Sequence, residues 1–244
     1  MEIIQKIITA SLTLLFPPTC PSCAQTISDT SQPVCSECFG QLQFITPPYC
    51  SCCGRVLPGG EENHLCGICL KSSWKFDKAR ALFAYEEIIA GLIHNLKYSG
   101  KRTGLDALKW LSEQSAVMND ITPPDVIIPV PLHVKRLRQR GFNQALVLAH
   151  SLFPDKKKTI RYDILVRKMD TPAQAGLSGK ERRKNLKNAF IVENSSAIVG
   201  KNILLLDDVF TTGTTSNECA KALKKSGCKN IEVLAICRAD KIIL

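Results

Sequence analysis

Residues 203–206 are four consecutive apolar residues, and two adjacent acids, Asp207 and Asp208, follow them directly. The chain then reads Val209, Phe210, Thr211, Thr212, Gly213, Thr214, Thr215 before a helical spacing resumes. A short apolar run without alternation is the pattern of a strand covered on both faces, as in a parallel sheet with helices above and below. In open sheets of that kind, ligands bind beyond the carboxyl ends of the strands. The acids therefore arrive where a ligand would sit. The threonine hydroxyls and the N–H groups of the helix that starts beside them favour an anion, and a phosphate suits both. Gly213 is expected to let the backbone approach that anion with no Cβ in the way. Two carboxylates beside a phosphate would repel it unless they face something else. Sugar hydroxyls, or a divalent metal bridging a ribose and a diphosphate, meet that requirement.

The surrounding pattern agrees with an α/β domain over residues 76–244 that has a mainly parallel sheet flanked by helices. Residues 79–85 read as a strand, and 86–98 as a helix with Ile88, Ile89, Leu92, Ile93 and Leu96 on one face, ended by Gly100. Residues 126–130, 164–166 and 231–236 read as further strands. Phe142, Ala145, Leu146, Ala149, Leu152 and Phe153 fall at helical spacing, and 214–226 read as a helix stopped by Gly227. Residues 167–188 are polar and rich in Lys and Arg, and they read as a mobile loop with local helix. Residues 1–19 read as a short N-terminal helix that packs Ile4, Ile7, Ile8 and Leu15 and exits through Pro17 and Pro18. A signal peptide is set aside there, because Lys6 is the only basic residue and no A-x-A-like site follows. No run reaches the roughly 18 apolar residues of a membrane span.

Residues 20–75 form the remaining region, poor in apolar periodicity and rich in cysteine. Cys20 and Cys23 are followed after eleven residues by Cys35 and Cys38; Cys50 and Cys53 are followed after twelve by Cys66 and Cys69. Each C-x2-C pair can occupy a tight turn with both thiolates on one ion, and two such turns make a closed four-sulfur site. Two structural zincs follow, with one zinc and idle or oxidised remaining pairs as the alternative. Catalytic thiol chemistry does not suit a closed site. Structural zinc contributes roughly 10–16 kcal/mol in small fingers, enough to order a segment with little core. Cys52 and His64 read as bystanders. A disulfide framework would suit a small secreted domain, whereas paired cysteines in a cytoplasmic chain suit zinc.

Residues 203–215 resemble, at every position, the phosphoribosyl pyrophosphate motif of type I phosphoribosyltransferases. Over nearly its full length the chain resembles the ComF (ComFC) competence family. The landmarks are FPPTCPSC (16–23), the second cysteine quartet, LIHNLKYSG (92–100), IPVPLHVKRLRQRGFNQ (128–144), DTPAQAGLSGKERRKN (170–185) and the motif itself. The resemblance implies a type I phosphoribosyltransferase fold behind an N-terminal double zinc ribbon. It implies Asp207 and Asp208 as the catalytic acids on the ribose hydroxyls. Thr211, Thr212, Gly213, Thr214 and Thr215 would hold the 5′-phosphate of phosphoribosyl pyrophosphate, bound with magnesium. Residues 171–185 take the place of a flexible loop that closes over substrate, with Gln174, Arg182, Arg183 and Asn185 as its contacts. Arg136, Arg138 and Arg140 follow a strand end where this fold binds pyrophosphate. Three close guanidiniums can neutralise a diphosphate or a nucleic-acid backbone, and a solvated basic helix start competes with both.

Asn143 and Gln144 can bond phosphate oxygens or cap a helix, and Lys97 is a weaker anion contact at a helix end. His94 and His133 are not read as general bases. The formal net charge of +10 attracts polyanions. Two functions therefore stand. One is magnesium-dependent phosphoribosyl transfer to an unidentified base or amine. The other is single-stranded DNA handling in natural transformation, with DNA and competence proteins as partners. Aromatic residues make up 6% of the chain, and only Phe142 and Tyr162 lie near the basic stretches, which disfavours base stacking but not backbone binding. The expected location is cytoplasmic.

Overall fold

The computed structural model describes residues 17–60, 64–99, 102–170 and 186–239. Residues 1–16 of the expected N-terminal helix region 1–19 and the loop contacts Gln174, Arg182, Arg183 and Asn185 lie outside the described residues, as does the side chain of Lys97.

Four strands form the main sheet: β1 (Lys78–Ala84), β2 (Val126–Pro129), β5 (Asn202–Phe210) and β6 (Asn230–Arg238). Their order is β1-β6-β5-β2 and every pairing is parallel. Two three-residue strands, β3 (Leu165–Arg167) and β4 (Phe190–Val192), pair antiparallel beside it. The helices are α1 (Ser36–Gly40), α2 (Gly67–Leu70), α3 (Glu87–Ser99), α4 (Arg102–Glu113), α5 (Val134–Arg140), α6 (Gln144–Leu152) and α7 (Thr214–Lys225).

The period-two alternation of strand side chains divides the core in two. Leu204 and Leu206 of β5 and Leu234 and Ile236 of β6 point to one face, where Ile89 and Leu92 of α3, Leu108 and Leu111 of α4 and Leu148 of α6 cover them. Ile203, Leu205, Val233 and Ala235 point to the other face and meet Cys219, Ala220 and Leu223 of α7 together with Leu165 and Phe190. The central strands carry apolar residues on both faces, so the expected continuous apolar run is what the chain supplies. Truncating Leu205, which is 0% exposed, would cost about 2–5 kcal/mol.

The cysteine-rich region packs on the sheet rather than beside it. Cys20, Ile27, Val34 and Cys38 join the first face, and Ile45 and Phe76 join the second. Asn95 donates from Nδ2 to the carbonyl of Pro21 at 2.8 Å, and the Phe39 ring meets Trp110 edge-on at 5.4 Å.

Several boundaries move. β5 is expected to end before the acids, yet it runs through them to Phe210, because β6 continues to pair with it as far as Phe210 opposite Arg238. α6 starts after Phe142, with Asn143 as its N-cap. Helix α4 and strand β4 have no counterpart in the sequence assignments. Among the described residues no helix is long and apolar enough to cross a membrane.

Candidate functional site

A cavity of about 420 Å³ opens beyond the carboxyl ends of β2 and β5. Asp207, Asp208, Thr211 and Thr215 line it from β5 and the following turn, and Arg136, Arg140, Asn143, Gln144 and Arg167 line it from other elements. The acids are held by their own backbone. The N–H of Asp208 donates to Asp207 Oδ1 at 2.9 Å and the N–H of Val209 donates to Asp208 Oδ1 at 2.8 Å.

The turn places its threonines unequally. Thr211 and Thr215 line the cavity. Thr212 is exposed, Thr214 is buried, and their hydroxyls share a hydrogen bond of 2.8 Å. α7 begins at Thr214, and Asn217 makes the first helical hydrogen bond back to the Gly213 carbonyl at 2.8 Å. The first N–H groups of a helix have no intrahelical acceptor, so this end of α7 offers donors to an anion. The fold itself also requires Gly213. Its φ is +72°, a left-handed conformation, and a Cβ there would lie 2.8 Å from Phe210 Cζ and 3.4 Å from Trp74 Cη2. Two aromatic rings occupy the space that a side chain would take.

Helix α5 sorts the three arginines by its period. Arg136 and Arg140, four residues apart, face the cavity together, whereas Arg138 points to solvent and does not line it. Arg140 donates from Nη1 to Gln144 Oε1 at 3.1 Å. Gln144 is 3% exposed, and its Nε2 is a buried donor with no partner, at the wall of the cavity. Asn143 caps α6: its Oδ1 accepts from the Ala145 N–H at 3.0 Å and its Nδ2 donates to the Val130 carbonyl at 3.1 Å. His133 caps α5 and faces Asp170 at 3.3 Å, outside the cavity, and His94 is exposed on α3.

Arg167 is a cavity-lining residue that the sequence reading did not single out, having been folded into a polar loop. It ends β3, is 6% exposed and lines the cavity. Burial and the positive charge of Arg136 lower its guanidinium pKa, opposed by Cys219, Asp170 and Asp207. Its ring partner is Phe190 of β4, 5.7 Å away. An arginine this buried is uncommon unless an anion or carboxylate faces it. The signal available in sequence was its place directly after the three apolar residues 164–166, read as a strand.

The eight paired cysteines form two groups, Cys20, Cys23, Cys35, Cys38 and Cys50, Cys53, Cys66, Cys69, each with sulfurs within 4.8 Å of one another. Tetrahedral zinc with Zn–S bonds near 2.3 Å needs sulfurs about 3.8 Å apart. Cys23 and Cys35 are 3.6 Å apart and Cys53 and Cys66 are 3.7 Å apart, so both groups fit zinc. Burial raises the thiol pKa of Cys20, but N–H groups of Cys23, Cys35 and Ser22 outweigh it and bring the value to about 7. Cys50 likewise falls to about 7, where burial is outweighed by N–H groups of Cys53, Cys66 and Cys52. Burial pushes the thiols of Cys38 and Cys53 well up and that of Cys69 to about 12, a cost that a bound cation would offset by holding them as thiolates. Cys52 stands outside both groups, its thiol pushed up by burial, and its carbonyl accepts from the Ala79 N–H at 2.7 Å.

The comparisons agree with this geometry. The chain matches the model of the double zinc ribbon domain over residues 11–70 and that of the phosphoribosyl transferase domain over residues 139–242. It is 35% identical over 226 residues to competence protein F of Haemophilus influenzae, covering 90% of this chain and 96% of that protein. The chain belongs to the competence protein F (ComF) family. DNA utilization protein YhgH of Escherichia coli K12 is 30% identical over 229 residues, covering 92% of this chain and 99% of its own. Competence protein ComFC of Bacillus subtilis is 29% identical over 205 residues, 80% of each chain. A hypoxanthine phosphoribosyltransferase structure from Staphylococcus aureus overlays at a TM-score of 0.33 with 15% identity, covering 54% of this chain and 61% of that one, too slight to carry an argument. The ComF fold here is thus a mainly parallel, helix-flanked sheet behind an N-terminal double zinc ribbon.

Proposed function

We propose that the cavity binds phosphoribosyl pyrophosphate with magnesium, and that this ComF protein serves DNA uptake through that site. The observation that carries the reading is the charge layout of one cavity: two carboxylates and two threonines on the β5 side, and Arg136, Arg140 and Arg167 among the other walls. A ribose with a monophosphate at one end and a diphosphate at the other is complementary to that layout. Asp207 and Asp208 take the ribose hydroxyls. Thr211, Thr215 and the start of α7 take the 5′-phosphate, with Gly213, Thr212 and Thr214 shaping the turn. Arg136, Arg140, Arg167 and the unpartnered Gln144 Nε2 take the diphosphate. Magnesium supplies charge neutralisation of the diphosphate and asks for hard oxygen donors, which the acid pair provides. The loop contacts Gln174, Arg182, Arg183 and Asn185 belong to the same proposal.

We favour turnover, in which a base or amine nitrogen displaces diphosphate from the ribose C1′. The chain's part is to hold the diphosphate while positive charge builds on the sugar. The division into residues 1–19, a zinc-ribbon module 20–75 and a transferase domain 76–244 is part of this reading. The twelve cysteines are free of disulfides, and we place the protein in the reducing cytoplasm. A second reading, DNA handling without turnover, is favoured by the relatives named for competence and DNA utilization and by the outward-facing Lys135 and Arg138 of α5.

Thermal unfolding tests the first reading. At a hundredfold excess over Kd, phosphoribosyl pyrophosphate with magnesium should stabilise by about 2.7 kcal/mol, roughly 5–10 °C for a chain of this size. Asp207→Asn with Asp208→Asn should remove that rise. A double variant that keeps the full rise contradicts the assignment of the carboxylates.

A further inference from the structure

The second cysteine group does more than staple the module, because its surroundings reach the turn that begins α7. Trp74 donates from Nε1 to Cys69 Sγ at 3.3 Å. The far edge of the same indole lies against Gly213, where Cη2 would sit 3.4 Å from a Cβ. Trp74 stacks on Phe76 with ring centres 5.2 Å apart, Phe76 meets Phe210 edge-on at 6.1 Å, and Phe210 fills the rest of the space at Gly213. A second tether starts from Cys53, whose carbonyl accepts from Arg238 Nη1 and whose sulfur lies 3.8 Å from Nη2. The guanidinium of Arg238 lies over the Phe210 ring, 4.9 Å from its centre. A third tether joins the residue after Trp74 to α7: the Lys75 N–H donates to Asn217 Oδ1 at 2.8 Å. Asn217 is itself the residue that closes the first helical hydrogen bond to Gly213. Among the described residues, the first cysteine group has no comparable contacts with this turn. It packs against α3, α4 and the opposite face of the sheet.

We propose that Trp74 is a positioning residue for the sugar-phosphate turn, clamping Gly213 and Phe210 while held by the Cys69 thiolate, so that the metal-bound second cysteine group orders the turn. The turn needs this because Gly213 has the widest backbone freedom of any residue and sits at φ +72°. Packing from outside must fix it for the start of α7 to present its N–H groups in one arrangement. Coupling between two sites is reciprocal, so whatever factor metal adds to ligand affinity, ligand adds to metal affinity. The clamp rests on the phosphate reading only where ligand is measured.

The test uses the full, zinc-loaded chain. Trp74→Leu removes the ring, and its zinc content should remain two per chain. Amide hydrogen exchange over 211–217 should rise about tenfold, and affinity for magnesium–phosphoribosyl pyrophosphate should fall about tenfold, a coupling within the usual range. Trp74→Phe keeps a ring but loses the N–H to Cys69, and should raise the same exchange by about twofold to fivefold. In a Trp110→Phe background Trp74 is the single indole. Its emission should shift when a chelator strips the second group, and ligand should slow that stripping. Wild-type exchange and affinity in Trp74→Leu overturn the proposal. If that variant loses zinc, unchanged exchange in Trp74→Phe overturns it instead. If the wild type takes up no phosphoribosyl pyrophosphate, the functional reading falls, and the exchange arm alone decides the clamp.

Discussion

Cys20, Cys23, Cys35 and Cys38 include an exposed sulfur-bearing residue, Cys23, and a half-buried one, Cys35, whereas all four residues of the second group are buried. The first group lies on the sheet face covered by α3, α4 and α6. The second lies on the face that carries α7 and the β3–β4 pair, and two buried arginines fasten it there. Arg80 donates from Nη1 to the Ser51 carbonyl at 3.1 Å and from Nε to Asp120 Oδ2 at 2.5 Å, and Arg238 reaches Cys53 from β6. Two nearly identical spacings thus serve different ends. A closed four-sulfur knot is a local device, and the contacts around it decide whether it only holds its own segment or also holds a binding site.

The largest test of that difference removes one ligand from each group. Cys53→Ser should lower the melting temperature by about 10 °C or more, corresponding to on the order of 3–5 kcal/mol for a chain of this size. It should also abolish the thermal response to magnesium–phosphoribosyl pyrophosphate. Cys23→Ser, at an exposed position, should cost roughly half as much and keep the response. Equal losses of stability and ligand response would erase the distinction between the two faces.

A sharper comparison stays on the second face. Arg167 reaches the cavity from β3, and Arg167→Met should weaken binding of the diphosphate-bearing ligand by roughly 10–100-fold, as expected for a charged hydrogen-bond donor. Arg138→Met, on the outward side of α5, should leave that affinity within about twofold. If DNA binds along α5, Arg138→Met should reduce the slope of log affinity against log salt by about 1. Calorimetry at two or more salt concentrations measures both.

The smallest effect concerns how the second group is anchored. Burial raises the Asp120 carboxyl pKa, but the Arg80 hydrogen bond and the charges of Arg80 and Lys78 outweigh it and hold it below the usual carboxylate range. A depressed carboxyl stabilises the fold above the unfolded value, about pH 3.9, and that stability is lost as pH falls through the native value. The carboxylate is 35% exposed, so screening limits the contribution to about 1 kcal/mol. Asp120→Asn should lower stability at pH 7 by that amount and flatten the acid limb of the stability profile. An unchanged acid limb would remove Asp120 from the anchor.

Much of the fold was legible because its signals are local. The continuous apolar run of β5, the glycine after α7 and the paired cysteines each state their structure within a few residues. α4 was legible in principle, since Leu105, Leu108 and Leu111 fall on one side of a helix. β4 was not: three residues acquire strand form only through their register with Leu165, Val166 and Arg167. The extension of β5 through its acids likewise depends on β6. Asp207, Asp208, Thr211 and Thr215, which line the cavity together, could be grouped from sequence because they lie within nine consecutive residues. The sorting of Arg136 and Arg140 from Arg138 follows from helical period, once a helix is recognised there. The placing of Arg167 and the packing at Gly213 were hidden because each depends on elements distant in sequence, the cavity wall shared with β5 and the Trp74 ring respectively.

The central claim is that the turn from β5 into α7 holds a sugar phosphate beside a pair of carboxylates. A crystal structure of the zinc-loaded protein soaked with phosphoribosyl pyrophosphate and magnesium addresses it directly. The account predicts the monophosphate against Thr211 and Thr215 at the start of α7, the ribose hydroxyls on Asp207 and Asp208, and the diphosphate among Arg136, Arg140 and Arg167. Ligand bound elsewhere, with that turn empty at saturating concentration, would contradict it.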